Sequence, residues 1–149
     1  MANELPRVGD PAPAFRAETT AGQTVDAQEY RGRRAMLLMF YPQDDTPGCT
    51  RQMCAARDEG AAYEAAGVDR FGVNDGTLAS HHKFVDKYDL DFPLIVDPKA
   101  EIAGLFGVRK ENGGTARATI LIDRDGRIAY AAPGAHGAEE VLKALRADA

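Results

Sequence analysis

At 149 residues the chain is long enough to bury one substantial core, and a single domain over residues 1–149 is the expectation. Lys and Arg total 18 against 23 Asp and Glu, a formal net charge of −5 that argues against nucleic acid or an anionic membrane as partner. The longest apolar run, Ala35–Tyr41, is far too short to span a bilayer, and the opening Met-Ala-Asn-Glu-Leu-Pro-Arg lacks the apolar stretch of a signal peptide, so a cytoplasmic protein is expected.

In chain order, Phe15–Thr19 and Gln23–Asp26, joined through Ala21-Gly22, predict an N-terminal hairpin. Ala35–Tyr41 predicts a strand buried on both faces. After a loop at Pro42–Asp45, a helix is predicted from Thr46–Pro47 to about Ala66, because Cys49, Met53, Ala56, Gly60 and Tyr63 recur at spacings of four and three. Arg70–Val73 predicts a short strand. Thr77–Tyr88 predicts a helix with Leu78, Phe84, Val85 and Tyr88 inward, and Leu94–Val96 a further strand. A short helix at about Ala100–Phe106 precedes a segment with Asn112-Gly113-Gly114. Arg117–Ile122 and Arg127–Ala131 predict strands joined by a turn at Asp123-Arg124-Asp125-Gly126, and Ala138–Arg146 a closing helix. Strands alternating with helices and ending in an antiparallel hairpin imply a mixed α/β sheet covered on both faces.

The chemistry concentrates at residues 42–54. Thr46 suits a helix N-cap and Pro47 the first helical position, which puts Cys49 at the third. There a sulfur lies near backbone N–H groups with no intrahelical partner, at the positive end of the helix dipole. Such a thiol ionises more readily, and the thiolate is the nucleophile. A second thiol, Cys54, follows five residues later. In a reducing cytosol two cysteines are a poor structural staple and point to redox chemistry. Zinc is a poor alternative, since two Cys and three scattered His make no four-ligand set. Dinucleotide and Walker-type Gly-rich loops are absent.

Pro42-x-x-x-Thr46-x-x-Cys49 resembles the active-site motif of the peroxiredoxins. The fuller string Tyr41-Pro42-Gln43-Asp44-Asp45-Thr46-Pro47-Gly48-Cys49-Thr50, followed by Cys54, is similar to the Q-type, or bacterioferritin comigratory protein, branch. The likeness runs from Val8-Gly9-Asp10-Pro11-Ala12-Pro13 through Phe92-Pro93-Leu94 to Arg117-Ala118-Thr119-Ile120-Leu121-Ile122-Asp123, nearly the whole chain. It implies a thioredoxin-like α/β fold with an N-terminal β-hairpin extension and a thiol peroxidase without metal or bound cofactor. Cys49 would be the peroxidatic cysteine and Cys54 the resolving one, closing an intrachain disulfide reopened by thioredoxin or a similar dithiol. Thr46 would hydrogen-bond the peroxide, Arg117 would stabilise the thiolate and the leaving oxygen, and Pro42 would shield the pocket. Cleaving O–O needs a thiolate, donors at the departing oxygen and a partner thiol, and a guanidinium is a suitable fixed donor. A monomer is expected, because both thiols lie on one chain.

Other features have blander readings. Met36, Met39 and Met53 are expected as core filler, His81 as a satisfied core-edge histidine, and Asp123 and Asp125 as turn residues. Asp44 and Asp45 oppose thiolate formation unless they face solvent. The nearest alternative function is a thioredoxin-fold disulfide oxidoreductase, disfavoured by the missing Cys-x-x-Cys; a non-catalytic redox sensor is the second.

Overall fold

The computed structural model describes residues 4–146, so the first three residues of the opening stretch lie outside it. Its centre is β3, Ala35–Phe40, every residue of which is buried. Side chains of a strand alternate between faces, and here each face has its own core. Met36, Leu38 and Phe40 pack with Phe71, Ile95, Phe106 and Ile120, whereas Leu37, Met39 and Tyr41 pack with Cys49, Met53, Phe84 and Leu121. Each fully buried large aliphatic side chain contributes about 1.5–3 kcal/mol.

Beside β3 lie β4 (Val68–Asn74) and then β5 (Leu94–Val96), both parallel, and on the other side β6 (Ala118–Ile122) and β7 (Ile128–Pro133), both antiparallel to their neighbours. The order is β5-β4-β3-β6-β7. The N-terminal hairpin, β1 (Arg16–Glu18) and β2 (Thr24–Asp26), stands apart as a two-stranded sheet. A bridge from Thr19 to Ile95 and the bond from Thr20 N–H to the Leu94 carbonyl, 3.0 Å, fasten it against the β5 edge. The β6–β7 turn is held by Asp123, whose Oδ1 accepts from the amides of Asp125 at 2.9 Å and Arg127 at 3.0 Å. Gly126 there takes φ +82°, which favours glycine.

The helices are α1 (Ala27–Tyr30), α2 (Pro47–Asp58), α3 (Gly60–Ala65), α4 (Leu78–Tyr88), α5 (Glu101–Leu105) and α6 (Ala138–Arg146). Ala27, Ile102 and Ala103 cover one face of the sheet; Met53, Tyr63, Phe84 and Val141 cover the other. The single helix expected from Thr46 to Ala66 is two. Glu59, at φ −93° and ψ 11°, separates them, and Arg70 Nη1 donates to the Ala56 carbonyl at 2.9 Å where the ladder stops. In α4 the buried centre is His81 and Phe84, with Leu78, Val85 and Tyr88 only half-buried at its flanks. The segment around Asn112 closes as a turn, with Lys110 N–H donating to the Gly114 carbonyl at 2.8 Å.

Candidate active site

Strand register brings the site together. Phe40 at the end of β3 pairs with Ala118 at the start of β6, so the residues just beyond each meet at one edge of the sheet. Tyr41 and the loop Pro42–Thr46 leave β3 there, α2 begins at Pro47, and Arg117 arrives from the β6 side. Cys49 lies in the first turn of α2 and is 1% exposed. Arg117 Nη2 donates to Cys49 Sγ at 3.4 Å. The amides of Gly48 and Cys49 belong to the first turn, which has no intrahelical acceptor, so the positive end of the helix and the Arg117 guanidinium lie at the same sulfur.

Two details fix the guanidinium. Its Nη1 donates to Gln52 Oε1 at 2.5 Å, and the Arg117 carbonyl accepts from Gly134 N–H at 3.0 Å. An ideal Cβ on Gly48 would stand 3.3 Å from Nη2, so the glycine lets the guanidinium lie against the helix start. Gln52 is a site residue the sequence reading missed. It lies one turn beyond Cys49 on the same helix face, and that i, i+3 spacing was the available signal. Gly48, Arg51, Gln52, Ala55, Arg117 and Ala135 line the concavity over the site. A larger cleft, about 600 Å³ and lined by Arg33, Arg124 and Arg127, opens at the opposite end of the sheet, away from both thiols.

Thr46 departs from expectation. It occupies the N-cap position with extended backbone, but its hydroxyl makes no capping bond and instead donates to the Gln43 carbonyl at 3.1 Å. Its oxygen lone pairs remain to accept a bond from outside. Pro42 is half-buried beside the site, its carbonyl accepting from Asn74 Nδ2 at 2.8 Å.

The two loop carboxylates are both engaged. Asp44 turns inward, its side chain 5% exposed, and accepts from the hydroxyls of Tyr41 and Ser80, each at 2.6 Å, and pairs with His81 Nδ1 at 2.7 Å. Burial pushes its acidity toward the neutral form, but the bonds from His81, Ser80 and Tyr41 prevail and hold it below the ordinary carboxylate range. Burial, and then the charge of Asp44, push the Tyr41 hydroxyl well above the usual phenol range, so it remains a donor. Asp45 faces solvent in the left-handed region at φ +58°, held by Lys87 Nζ at 2.8 Å and Tyr88 hydroxyl at 2.6 Å. A non-glycine residue held there stores about 1–3 kcal/mol. Helix α4 thus grips the loop at two successive residues.

Cys54 is half-buried in the intact α2, and both thiols are free. Met36, Met39 and Met53 are core, and Asp123 and Asp125 are turn residues, as expected. Among the described residues no three His, Cys, Asp or Glu side chains cluster to hold a metal, and no helix is long and apolar enough to cross a membrane.

Comparison with known proteins gives the family. Residues 8–131 match the AhpC/TSA family. A putative peroxiredoxin bcp of Coxiella burnetii is 35% identical over 133 residues, covering 85% of this chain and 87% of the relative. The peroxiredoxin Bcp of Bacillus subtilis is 35% identical over 128 residues, 81% of each chain. Among solved structures, the peroxidoxin BcpB of Mycobacterium tuberculosis superposes with TM-score 0.85 at 26% identity, covering 97% of this chain and 98% of that one. The Xanthomonas campestris bacterioferritin comigratory protein gives 0.83 at 26% identity, with 95% and 99% covered. The chain therefore belongs to the AhpC/TSA family, in the Q-type or bacterioferritin comigratory protein branch of the peroxiredoxins, with the thioredoxin-like fold and thiol peroxidase character of that branch.

Proposed function

We propose that Cys49 is the peroxidatic cysteine of a peroxidase acting on hydrogen peroxide and organic hydroperoxides. The observation that carries this reading is the Arg117 guanidinium 3.4 Å from a buried sulfur at a helix N-terminus. The Cys49 thiolate attacks the terminal peroxide oxygen, S–O forms as O–O breaks, and the departing alkoxide or hydroxide takes a proton to leave as alcohol or water. Arg117 stabilises the sulfur before the step and the leaving oxygen during it. Thr46 accepts from the peroxide O–H through the oxygen that its bond to Gln43 leaves open. Pro42 limits water access from the loop side. The sulfenic acid then condenses with the Cys54 thiol, releasing water and forming a disulfide, which thioredoxin or a similar dithiol reduces by exchange. None of these steps calls for a metal or bound cofactor, and a reducing cytoplasm suits them. The Xanthomonas campestris relative was studied for alkyl peroxide reduction, which supports including organic hydroperoxides. A thioredoxin-coupled assay comparing hydrogen peroxide with a bulky organic hydroperoxide tests the reading; turnover of neither overturns it.

Arg117→Ala lowers the second-order rate constant with peroxide by about 10²-fold, the scale seen when one charge-stabilising donor is removed. Arg117→Lys recovers only part, since an ammonium cannot reach Cys49 Sγ and Gln52 Oε1 from one planar fork. Stopped-flow kinetics of the three proteins checks this, and an unchanged rate in Arg117→Ala returns the residue to a structural role.

We also propose a monomer, since the reaction as written takes both thiols from one chain. Sedimentation of the reduced and oxidised protein at micromolar concentration is expected to show one monomeric species. A stable dimer in both states contradicts it.

A further inference from the structure

The proposed chemistry has no use for His81, yet this ring is wholly buried and doubly bonded. Its Nδ1 meets Asp44 Oδ2 at 2.7 Å and its Nε2 meets the Ile95 carbonyl at 3.1 Å. The carbonyl can only accept. Asp44 already receives the Tyr41 and Ser80 hydroxyls, two donors that favour its ionised form, and it is held below the ordinary carboxylate range, so it stands as a carboxylate. A neutral imidazole offers one N–H and one lone pair, so either tautomer would set a lone pair against an acceptor oxygen in a site closed to water. Only the ring protonated on both nitrogens satisfies both partners.

The placement gives that charge a purpose. Asp44 is bonded to Tyr41, and Tyr41 packs in the same core cluster as Cys49. A carboxylate one side chain away from the nucleophile, left alone, opposes the thiolate. It nonetheless anchors the loop that presents Thr46 and starts α2. Around the pair stand Tyr41 just beyond β3, Asp44 in the loop, Ser80 on α4, the Ile95 carbonyl on β5, and the neutral Asn74 at the end of β4 with Gly76 two residues on.

Resting on the peroxidatic reading of Cys49, we propose that His81 is a positioning residue held as an imidazolium. It neutralises Asp44, so that this carboxylate can anchor the peroxide-binding loop without opposing the Cys49 thiolate. The positive charge is supplied from α4, by a ring bonded directly to the carboxylate. Removing His81 alone then leaves an uncompensated negative charge, whereas removing both partners leaves none.

Two measurements test this. In the reduced protein, ¹⁵N-detected NMR of labelled histidine at pH 7 is expected to show protons on both His81 ring nitrogens; a bare ring nitrogen overturns the proposal without reference to any activity. The second is the rate at which Cys49 is alkylated by iodoacetamide, in a Cys54→Ser background so that one thiol is read. His81→Asn, whose amide nitrogen can replace Nδ1 but carries no charge, is expected to slow alkylation about tenfold and to move its pH profile upward. Asp44→Asn combined with His81→Asn is expected to restore most of the rate. A merely structural bracket predicts the reverse, a double variant as slow as the single or slower, and that result refutes the charge role. Failure of the wild type to consume peroxide would instead remove the peroxidase reading and leave the NMR result standing.

Discussion

Cys49→Ser is expected to bring peroxide consumption down to the uncatalysed background, whereas Cys54→Ser consumes about one equivalent and stalls as a sulfenic acid open to further oxidation. The asymmetry follows from the different environments of the two sulfurs. Cys49 is buried among donors, with Arg117 Nη2 at 3.4 Å, and a serine hydroxyl placed there is far too weak an acid to provide the anion that the guanidinium awaits. Cys54 lies on a later turn and is half exposed, and under the proposed mechanism it takes no part in breaking O–O. Its loss removes the thiol that intercepts the sulfenic acid, and excess peroxide then drives Cys49 on to the sulfinic acid. Intact mass after stoichiometric and excess peroxide distinguishes the cases: one added oxygen, then two, in Cys54→Ser, and no change in Cys49→Ser. Normal turnover by Cys49→Ser would falsify the assignment of the nucleophile.

The parts of this site that the sequence made legible are local ones. The apolar run at Ala35 reads as a two-faced strand because every side chain in it is buried, and Pro47 beside Thr46 marks the helix start that carries Cys49. The Asp-Arg-Asp-Gly turn reads correctly because Asp123 serves its own turn. What failed depends on partners distant in sequence. The apolar stripe of α2 continues unbroken into α3, so periodicity alone could not reveal that Arg70 takes the Ala56 carbonyl and ends the ladder. An ideal Cβ on Gly60 would lie 3.0 Å from Arg70 Nη2 and 3.1 Å from Asp91 Oδ2, so a tertiary ion pair fills the corner. Helix α1 has an N-cap signal in Asp26, whose carboxylate accepts from Gln28 N–H, but four residues are too few to show a period.

The active-site loop shows the same division. A threonine before proline predicts a side-chain cap, yet the Gln43 carbonyl captures the Thr46 hydroxyl, and this competition between local acceptors is invisible in composition. Asp44 and Asp45 are adjacent and chemically identical. One is buried against His81 and the Tyr41 hydroxyl and the other is clasped at the surface by Lys87 and Tyr88, a distinction set by partners distant in sequence on α4 and by Tyr41.

The largest structural effect is expected on oxidation. Residues five apart on a helix have Cα atoms roughly 8–9 Å apart, whereas a disulfide needs about 4.4–6.8 Å. Cys49 and Cys54 both lie within α2, so they cannot bond while it stands. The two ends of that helix are unequal. Its C-terminal half is tied down by Arg70 to the Ala56 carbonyl at 2.9 Å and by Arg57 Nη1 to the Tyr88 carbonyl at 2.6 Å. Its N-terminus has no side-chain cap, and its first ladder bond is Thr50 N–H to the Thr46 carbonyl. The first turns should therefore open while the last turn remains. Closing so short a loop stabilises by about 2 kcal/mol through chain entropy. Against that stand the Cys49–Arg117 contact, the Arg117–Gln52 bond and the burial of Met53, the last alone about 1.5–3 kcal/mol. With each hydrogen bond adding about 0.5–1.5 kcal/mol, the balance favours the reduced form, and the oxidised protein should melt lower by several degrees, at about 2–4 °C per kcal/mol. Hydrogen exchange should show amides 50–53 losing protection on oxidation while 55–58 retain most of theirs. Equal protection of both segments in the two redox states, with the disulfide confirmed by mass, would show that α2 is not the element that yields.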